Sequence, residues 1–139
     1  VLTGPDHTVI AGFSLGWLSA LDIAWAHSEK FGKVGVFSGS LWWRKKAYED
    51  GYDDYNDRLM HTIIRHTPGK PALKFWFEAG TNDEISDRNG NGVIDAIDDT
   101  IDLMRELKRK GYNRDEDFTY LEMEGGRHEA ETWARAMPE

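Results

Sequence analysis

Strand-like and helix-like patterns alternate along this chain, and that alternation restricts the possible folds more than any other feature of the sequence. Runs rich in β-branched and aromatic side chains predict strands at residues 8–11, 34–37, 71–78 and 117–122. Apolar side chains at helical spacing predict helices at about residues 15–29, within 44–70, at 97–111 and from 129 onwards. Because strands that alternate with helices are typical of parallel sheets, we expect an α/β fold with a parallel sheet of about four strands and flanking helices.

The composition is that of one globular unit. The 139 residues are close to the length of a single domain, and 40% of them are hydrophobic, which is enough for a core. No repeat, low-complexity tract or linker divides the sequence. We therefore expect residues 1–139 to form a single unit.

Charge and residue content exclude several classes of function. The formal net charge of −8 repels nucleic acid and anionic membrane surfaces, so neither is an expected partner. The sequence contains no cysteine, which removes disulfides, thiolate metal sites and thiol nucleophiles. Its apolar runs are far shorter than the roughly 20 residues that span a bilayer, so no membrane span is expected.

A Gly-Phe-Ser-Leu-Gly motif at residues 12–16 lies between the first predicted strand and the first predicted helix. In this context a G-x-S-x-G motif forms a sharp turn that exposes a nucleophilic serine, here Ser14. We expect glycine on both sides because a Cβ atom there would collide with the neighbouring backbone. The N–H of Leu15, at the start of the helix, is a candidate oxyanion donor. The alternative is that these are ordinary loop glycines and that Ser14 caps the helix.

An acid and a base follow the serine, each at the end of a later predicted strand. Asp83 comes directly after the third strand and His128 directly after the fourth. The order serine, acid, histidine is the one expected for side chains that meet above the carboxyl edge of a parallel sheet. His128 is the candidate base for Ser14, and Asp83 the candidate acid that orients the imidazole.

Other residues compete for both roles. Glu84 and Asp87 lie within reach of the same loop as Asp83, whose carboxylate also suits an Asx turn that caps that loop. The competing histidines are those that do not follow a predicted strand, namely His7, His27, His61 and His66. Position at a strand end favours Asp83 and His128.

Residues 87–98 have the spacing of an EF-hand calcium loop, with a glycine at its sixth position. The candidate ligands are five side chains and one peptide carbonyl, at Asp87, Asn89, Asn91, Val93, Asp95 and Asp98. Asp98 is shorter than the glutamate usual at the last position. We expect a structural Ca²⁺, which favours an exported protein. The alternative is a metal-free loop in which Asp98 and Asp99 complement the helix dipole.

Taken together, the motifs at residues 12–16, 37–40, 80–84 and 125–128, with Trp133, resemble the putative esterase family of α/β-hydrolases. This family includes feruloyl esterases, esterase D and enterochelin esterases. The resemblance covers nearly the whole chain and implies a serine carboxylic-ester hydrolase without an organic cofactor. It also implies that Ser14, Asp83 and His128 form the catalytic triad.

In that family the serine turn follows the fifth strand, so the resemblance implies that residues 1–139 are the C-terminal part of one α/β-hydrolase domain. The loop with the second oxyanion donor lies upstream in such enzymes. Losing one donor typically costs about 10²–10³ in rate, so we expect this chain alone to be weakly active or inactive. Trp17, where many relatives have glycine, is expected to crowd the turn or reshape the pocket.

The expected substrate is a small-molecule or carbohydrate ester, such as a phenolic ester or a siderophore. A first strand without its upstream neighbour is an open sheet edge, which predicts self-association. A non-catalytic, calcium-stabilised module that binds carbohydrate or protein is the main alternative. A metal-dependent enzyme is less favoured, because a calcium loop saturated with ligands has no open position.

Overall fold

The computed structural model describes residues 2–137 and contains a parallel sheet of four strands. The strands are β1 (Val9–Phe13), β2 (Lys33–Phe37), β3 (Lys74–Asn82) and β4 (Phe118–Arg127). They lie side by side in chain order, and every neighbouring pair is parallel. The predicted α/β fold is therefore confirmed.

Helices lie in each connection between strands, and a further helix follows the last strand. They are α1 (Gly16–Ala26), α2 (Asp54–Asp57), α3 (Leu59–His66), α4 (Asp95–Arg109) and α5 (Ala130–Ala136). Short 3₁₀ turns occur at Pro5–His7 and Tyr48–Asp50. Among the helices of residues 2–137, none has the length and hydrophobicity needed to cross a bilayer.

The core lies between one face of the sheet and helices α1, α3 and α4. Helix α1 contributes Trp17 and Leu21, both completely buried, because the helical period places them on the same face. They pack in one cluster with side chains of the central strands, including Val34, Val36, Phe75 and Phe77. Burying large apolar side chains of this kind supplies the main driving force for folding.

Strands β3 and β4 are longer at their carboxyl ends than the sequence predicts. Gly80 was expected to end β3, but the strand continues to Asn82, and β4 continues to Arg127 through two glycines. The reason is close packing: a Cβ atom on Gly80 would lie 2.5 Å from the carbonyl oxygen of Gly126. The glycines therefore bring the strands together instead of ending them.

Residues 44–70 were expected to be a helical excursion, and only α2 and α3 within them are α-helical. Arg58, in extended conformation, separates these helices. Its buried guanidinium donates to Asp99 at 2.7 Å and to Asp102 at 3.0 Å, both on α4. At this break between the helices, the backbone of Arg58 forms an isolated antiparallel bridge with Arg44, while its side chain pairs with α4.

A second arginine holds the loop that follows β3. Arg88 donates to Asp54 at 2.9 Å, lies 3.2 Å from Asp95, and forms a very short ion pair with Asp99. Asp99 is fully buried, and truncating one partner of a buried pair typically destabilises a protein by about 3–5 kcal/mol. The loop that begins with Asp83 is thus fixed to α2 and α4.

The strand β1 lies at the edge of the sheet and pairs only with β2 among the described residues. Its five residues carry no charge, and Val9 is 59% exposed. Charged residues on an edge strand normally oppose edge-to-edge pairing. The predicted self-association has not been tested and stays a prediction.

We expect the protein to self-associate through β1, so its weight-average sedimentation coefficient should increase with concentration. Val9→Lys should remain monomeric because a charge at the edge opposes strand pairing, whereas Val9→Thr should associate like the wild type. A wild-type protein that stays monomeric at every concentration would contradict this prediction.

Candidate active site

Four polar side chains follow the carboxyl ends of the four strands. Ser14 follows β1, Ser38 follows β2, Asp83 follows β3 and His128 follows β4. Because all four strands are parallel, these ends lie at the same edge of the sheet. The fold thus brings the three residues of the predicted triad to one edge, together with Ser38.

Ser14 occupies a sharp turn between β1 and α1. Its φ of 54° is in the left-handed region, and its N–H donates to the carbonyl of Phe37 at 3.0 Å. A Cβ atom on Gly12 would lie 2.3 Å from the carbonyl oxygen of Gly16, so glycine is required at residue 12. The expectation of the same requirement at Gly16 is wrong, because a Cβ atom there would meet open space.

Leu15 lies between the serine and the first residue of α1. Its N–H belongs to the beginning of a helix, where the first N–H groups have no partner within the helix. Its side chain is 51% exposed. The role of the Leu15 N–H as an oxyanion donor stays a prediction.

The Asp83 carboxyl group has one oxygen bound to its own loop and one oxygen free. Oδ2 accepts the N–H of Gly80 at 3.0 Å, which is the loop-capping role considered from the sequence. Oδ1 is buried and has no hydrogen-bond partner within residues 2–137. Burial raises the pKa of Asp83, while the Gly80 hydrogen bond and the nearby His128 oppose that shift.

His128 is exposed and packs against the indole of Trp133. The two rings meet edge to face, with 5.4 Å between their centroids. The centroid of the same indole lies 5.1 Å from that of the ring of Phe13, the residue before Ser14. Trp133 therefore contacts both the candidate base and the strand end that carries the candidate nucleophile.

The side chains of Ser14, Asp83 and His128 are not joined by hydrogen bonds in the part of the chain that the structure describes. Asp83 and His128 line the same cavity of about 260 Å³, whereas Ser14 does not line it. Its other lining residues are Ser38, Gly39, Ser40, Trp42, Glu84 and Ala96. In substrate-free enzymes the catalytic hydrogen bonds are often long and tighten only with substrate.

A buried carboxyl group below this cavity was not predicted. Glu78, on β3, is 1% exposed, and its Oε2 accepts the N–H and the hydroxyl of Ser38 at 3.2 and 3.4 Å. Burial, and then the charge of Asp83, raise the pKa of Glu78 to about 7. An acidic residue within an apolar strand was the sequence signal that marked this position.

The competing acids and histidines have other surroundings. Glu84 also lines the cavity, and burial raises its pKa. His61 is completely buried in α3, where burial lowers its pKa to about 3, and its Nε2 lies 2.9 Å from the carbonyl of Asp99. His27 contacts Glu29 at 3.3 Å after α1, while the other two histidines lie in helical segments.

The predicted calcium loop is held together by its own hydrogen bonds. Asp87 accepts the backbone N–H groups of Gly90, Asn91 and Gly92 at 2.8 to 3.1 Å. The side chains of Asn89 and Asn91 both donate to Asp98. In this arrangement both oxygens of Asp87 accept backbone N–H groups, and Asp98 accepts the amide N–H groups of Asn89 and Asn91.

The Asp95 carboxylate accepts the backbone N–H of Arg88 at 3.0 Å and also pairs with its guanidinium. Val93, whose peptide carbonyl is the remaining candidate calcium ligand, lies in the same loop. Within residues 2–137, no group of three or more acidic or histidine side chains is arranged to hold a metal ion. Calcium binding stays a prediction.

The family model described as "Putative esterase" matches residues 2–139. No curated protein is similar enough in sequence to count as a match. The enterobactin esterase from Shigella flexneri, solved with 2,3-dihydroxy-N-benzoyl-glycine, is similar in structure, with a TM-score of 0.66 and 26% identity. The alignment covers 93% of this chain and 29% of that protein.

Two further solved structures share the fold. A ferulic acid esterase has a TM-score of 0.67 at 18% identity, over 99% of this chain and 51% of its own. A monoacylglycerol lipase from Paleococcus ferrophilus has a TM-score of 0.55 at 17% identity, over 93% of this chain and 65% of its own. The chain thus spans about half or less of the length of the esterases above.

The raised pKa of Glu78 predicts that stability depends on pH. The folded protein binds this proton more tightly than the unfolded chain, in which the pKa of Glu is about 4.3. The stabilisation is therefore complete below about pH 4 and is lost as the pH rises through about 7. In urea unfolding, the free energy of unfolding of the wild type should fall by an amount on the order of 2 kcal/mol between about pH 5 and pH 8.5. This fall should be absent in Glu78→Gln. Glu124→Gln, at an exposed position, is the control, and equal pH dependence in both variants would contradict the assignment.

If residues 87–98 bind calcium, the melting temperature should be several degrees higher in Ca²⁺ than in EDTA, because a ligand that binds only the folded state stabilises it. Asp87→Asn should reduce this difference, whereas Asp22→Asn, on the exposed face of α1, should retain it. Equal melting temperatures in Ca²⁺ and EDTA would rule out the structural ion.

Proposed function

Because the chain belongs to the putative esterase family, we propose that it carries the catalytic groups of a serine carboxylic-ester hydrolase. The observation that supports this best is the strained turn at Ser14, whose left-handed backbone lies at the same sheet edge as Asp83 and His128. A strained, non-glycine residue at a strand end persists only where the surrounding structure enforces it. Gly12 and the start of α1 enforce it here.

In the proposed first step, His128 takes the proton of the Ser14 hydroxyl while the serine oxygen attacks the carbonyl carbon of the ester. The carbonyl oxygen becomes negatively charged, and the N–H of Leu15 donates a hydrogen bond to it. The bond to the alcohol oxygen then breaks, and the imidazolium of His128 gives its proton to the departing alcohol. An acyl group remains on Ser14.

In the second step, His128 removes a proton from water, and the resulting hydroxide attacks the acyl carbon. The carboxylic acid leaves, and the proton returns to the oxygen of Ser14. Asp83 orients the imidazole and stabilises its charged form in both steps. Its buried Oδ1, which has no partner within the described residues, is the oxygen available for the imidazole N–H.

Asp83 suits this role better than Glu84. Both carboxyl groups line the cavity with His128, and burial raises the pKa of each. The charge of His128 opposes that shift at Asp83, whereas nearby carboxylates add to it at Glu84. An opposite charge close by favours the ionised carboxylate that an imidazolium needs.

We propose a small-molecule or carbohydrate ester as substrate. The cavity beside Asp83 and His128 has a volume of only about 260 Å³, and Trp42 supplies a flat aromatic wall. The similar solved proteins include an enterobactin esterase, solved with 2,3-dihydroxy-N-benzoyl-glycine, and a ferulic acid esterase. These names support the ester of an aromatic acid as the substrate class.

A fluorophosphonate probe tests the proposal, since it reacts only with an activated serine. The wild-type protein should be labelled and Ser14→Ala should not. His128→Gln should be labelled about 10²–10⁴ times more slowly, the usual contribution of a general base. The controls are Ser19→Ala and His66→Gln, at exposed positions in helices α1 and α3, which should be labelled like the wild type.

Equal labelling of wild type and Ser14→Ala would refute the proposed nucleophile. An unlabelled wild-type protein with the native fold would favour the non-catalytic binding module.

A further inference from the structure

The buried group Glu78 has no role in the proposed acylation and hydrolysis steps. It lies in the centre of the sheet, between neighbouring strands β2 and β4. Burying a carboxyl group in such a place costs free energy unless hydrogen bonds compensate. The hydrogen bonds that Glu78 accepts through its side chain all come from one residue, Ser38.

Ser38 has an unusual backbone as well as an unusual partner. Its φ is 43°, in the left-handed region, and the residue is 2% exposed. Its N–H donates to the backbone carbonyl of Glu78 at 2.9 Å and to the Glu78 carboxyl at 3.2 Å. The Ser38 hydroxyl donates to the same carboxyl, which leaves a lone pair of its oxygen available as an acceptor.

That lone pair accepts the indole N–H of Trp133 at 2.8 Å. An indole has a single donor, so this bond determines how the ring is rotated. The ring contacts both Phe13 and His128. The contacts thus run from a buried carboxyl group through a hydroxyl and an indole to the candidate base.

We propose that Glu78, Ser38 and Trp133 form a hydrogen-bonded chain that positions the imidazole of His128 relative to Ser14. Glu78 fixes the direction of the Ser38 hydroxyl, the hydroxyl fixes the Trp133 ring, and the ring limits where His128 lies. All three act as positioning residues, since none of them touches the reacting atoms. The inference rests on the proposed function for its catalytic consequence.

Glu78 also affects Asp83 through Ser38. The Ser38 hydroxyl has only one proton and donates it to Glu78. Oδ1 of Asp83 has no hydrogen-bond partner within residues 2–137, so it stays available to His128.

Two measurements on the same variants test this chain. The variants are Glu78→Gln, Ser38→Ala and Trp133→Phe, and the matched controls are Glu124→Gln, Ser19→Ala and Trp43→Phe at exposed or partly exposed positions. The first measurement is nuclear magnetic resonance: hydrogen exchange of the Trp133 indole N–H, and the nuclear Overhauser effect between the Trp133 and His128 rings. The second is the rate of fluorophosphonate labelling of Ser14.

We expect Ser38→Ala and Glu78→Gln to accelerate indole exchange and to weaken the effect between the two rings. Labelling should slow about ten- to hundredfold in each variant, the scale expected for a base displaced by about 1 Å. The double variant Ser38→Ala/Trp133→Phe should be labelled no more slowly than the slower of the two single variants. The effects of substitutions within one hydrogen-bonded network do not add. The controls should match the wild type in both measurements.

The inference would be overturned if Ser38→Ala left both the indole exchange rate and the nuclear Overhauser effect between the Trp133 and His128 rings unchanged. It would also be overturned if the fold-decrease in labelling rate of the double variant equalled the product of the two single fold-decreases. Absence of labelling in the wild type would refute the proposed function instead. The magnetic resonance measurement would still decide whether Glu78, Ser38 and Trp133 position His128. If Glu78→Gln does not fold, Ser38→Ala and Trp133→Phe carry the same test.

Discussion

The parallel direction of all four strands is the constraint on which the candidate site depends. Each strand ends at the same edge of the sheet, so a residue that follows any strand lies near the residues that follow the others. Ser14 and His128 are far apart in sequence, yet they follow the two outer strands of one sheet. Close packing at Gly12 holds the turn after β1 against the start of α1, and close packing at Gly80 holds β3 against β4, because a Cβ atom at either residue would strike the neighbouring backbone.

The sequence was sufficient for the class of fold and for the order of its elements. Alternating strand and helix patterns predict a parallel sheet, because each element must bury one face against the next. The motif around Ser14, followed by Asp83 and His128 at later strand ends, indicated the edge that carries the candidate site. The carboxyl ends of β3 and β4 were predicted wrongly, because Gly80, Gly125 and Gly126 resemble strand breakers in sequence. In the fold, the close approach of Gly80 and Gly126 lets the strands continue together.

Sequence patterns did not predict the contacts between residues that are far apart in the sequence. Nothing in the spacing of residues 44–70 indicates that Arg58 pairs with Asp99 and interrupts a helix. The chain from Glu78 through Ser38 to Trp133 joins residues 40 and 95 positions apart. Single polar residues of this kind acquire a role only when the fold buries them together, because burial is what makes each unmet hydrogen bond costly.

The central claim is that Ser14, His128 and Asp83 act as one unit at this edge. A crystal structure of the protein after reaction with a fluorophosphonate tests it most directly. The account predicts phosphorus bonded to Oγ of Ser14, with Nε2 of His128 within about 3 Å of an oxygen on that phosphorus. It also predicts that the Asp83 carboxylate lies within about 3 Å of Nδ1 of His128. Phosphorus on another residue, or His128 and Asp83 out of hydrogen-bonding reach, would contradict it.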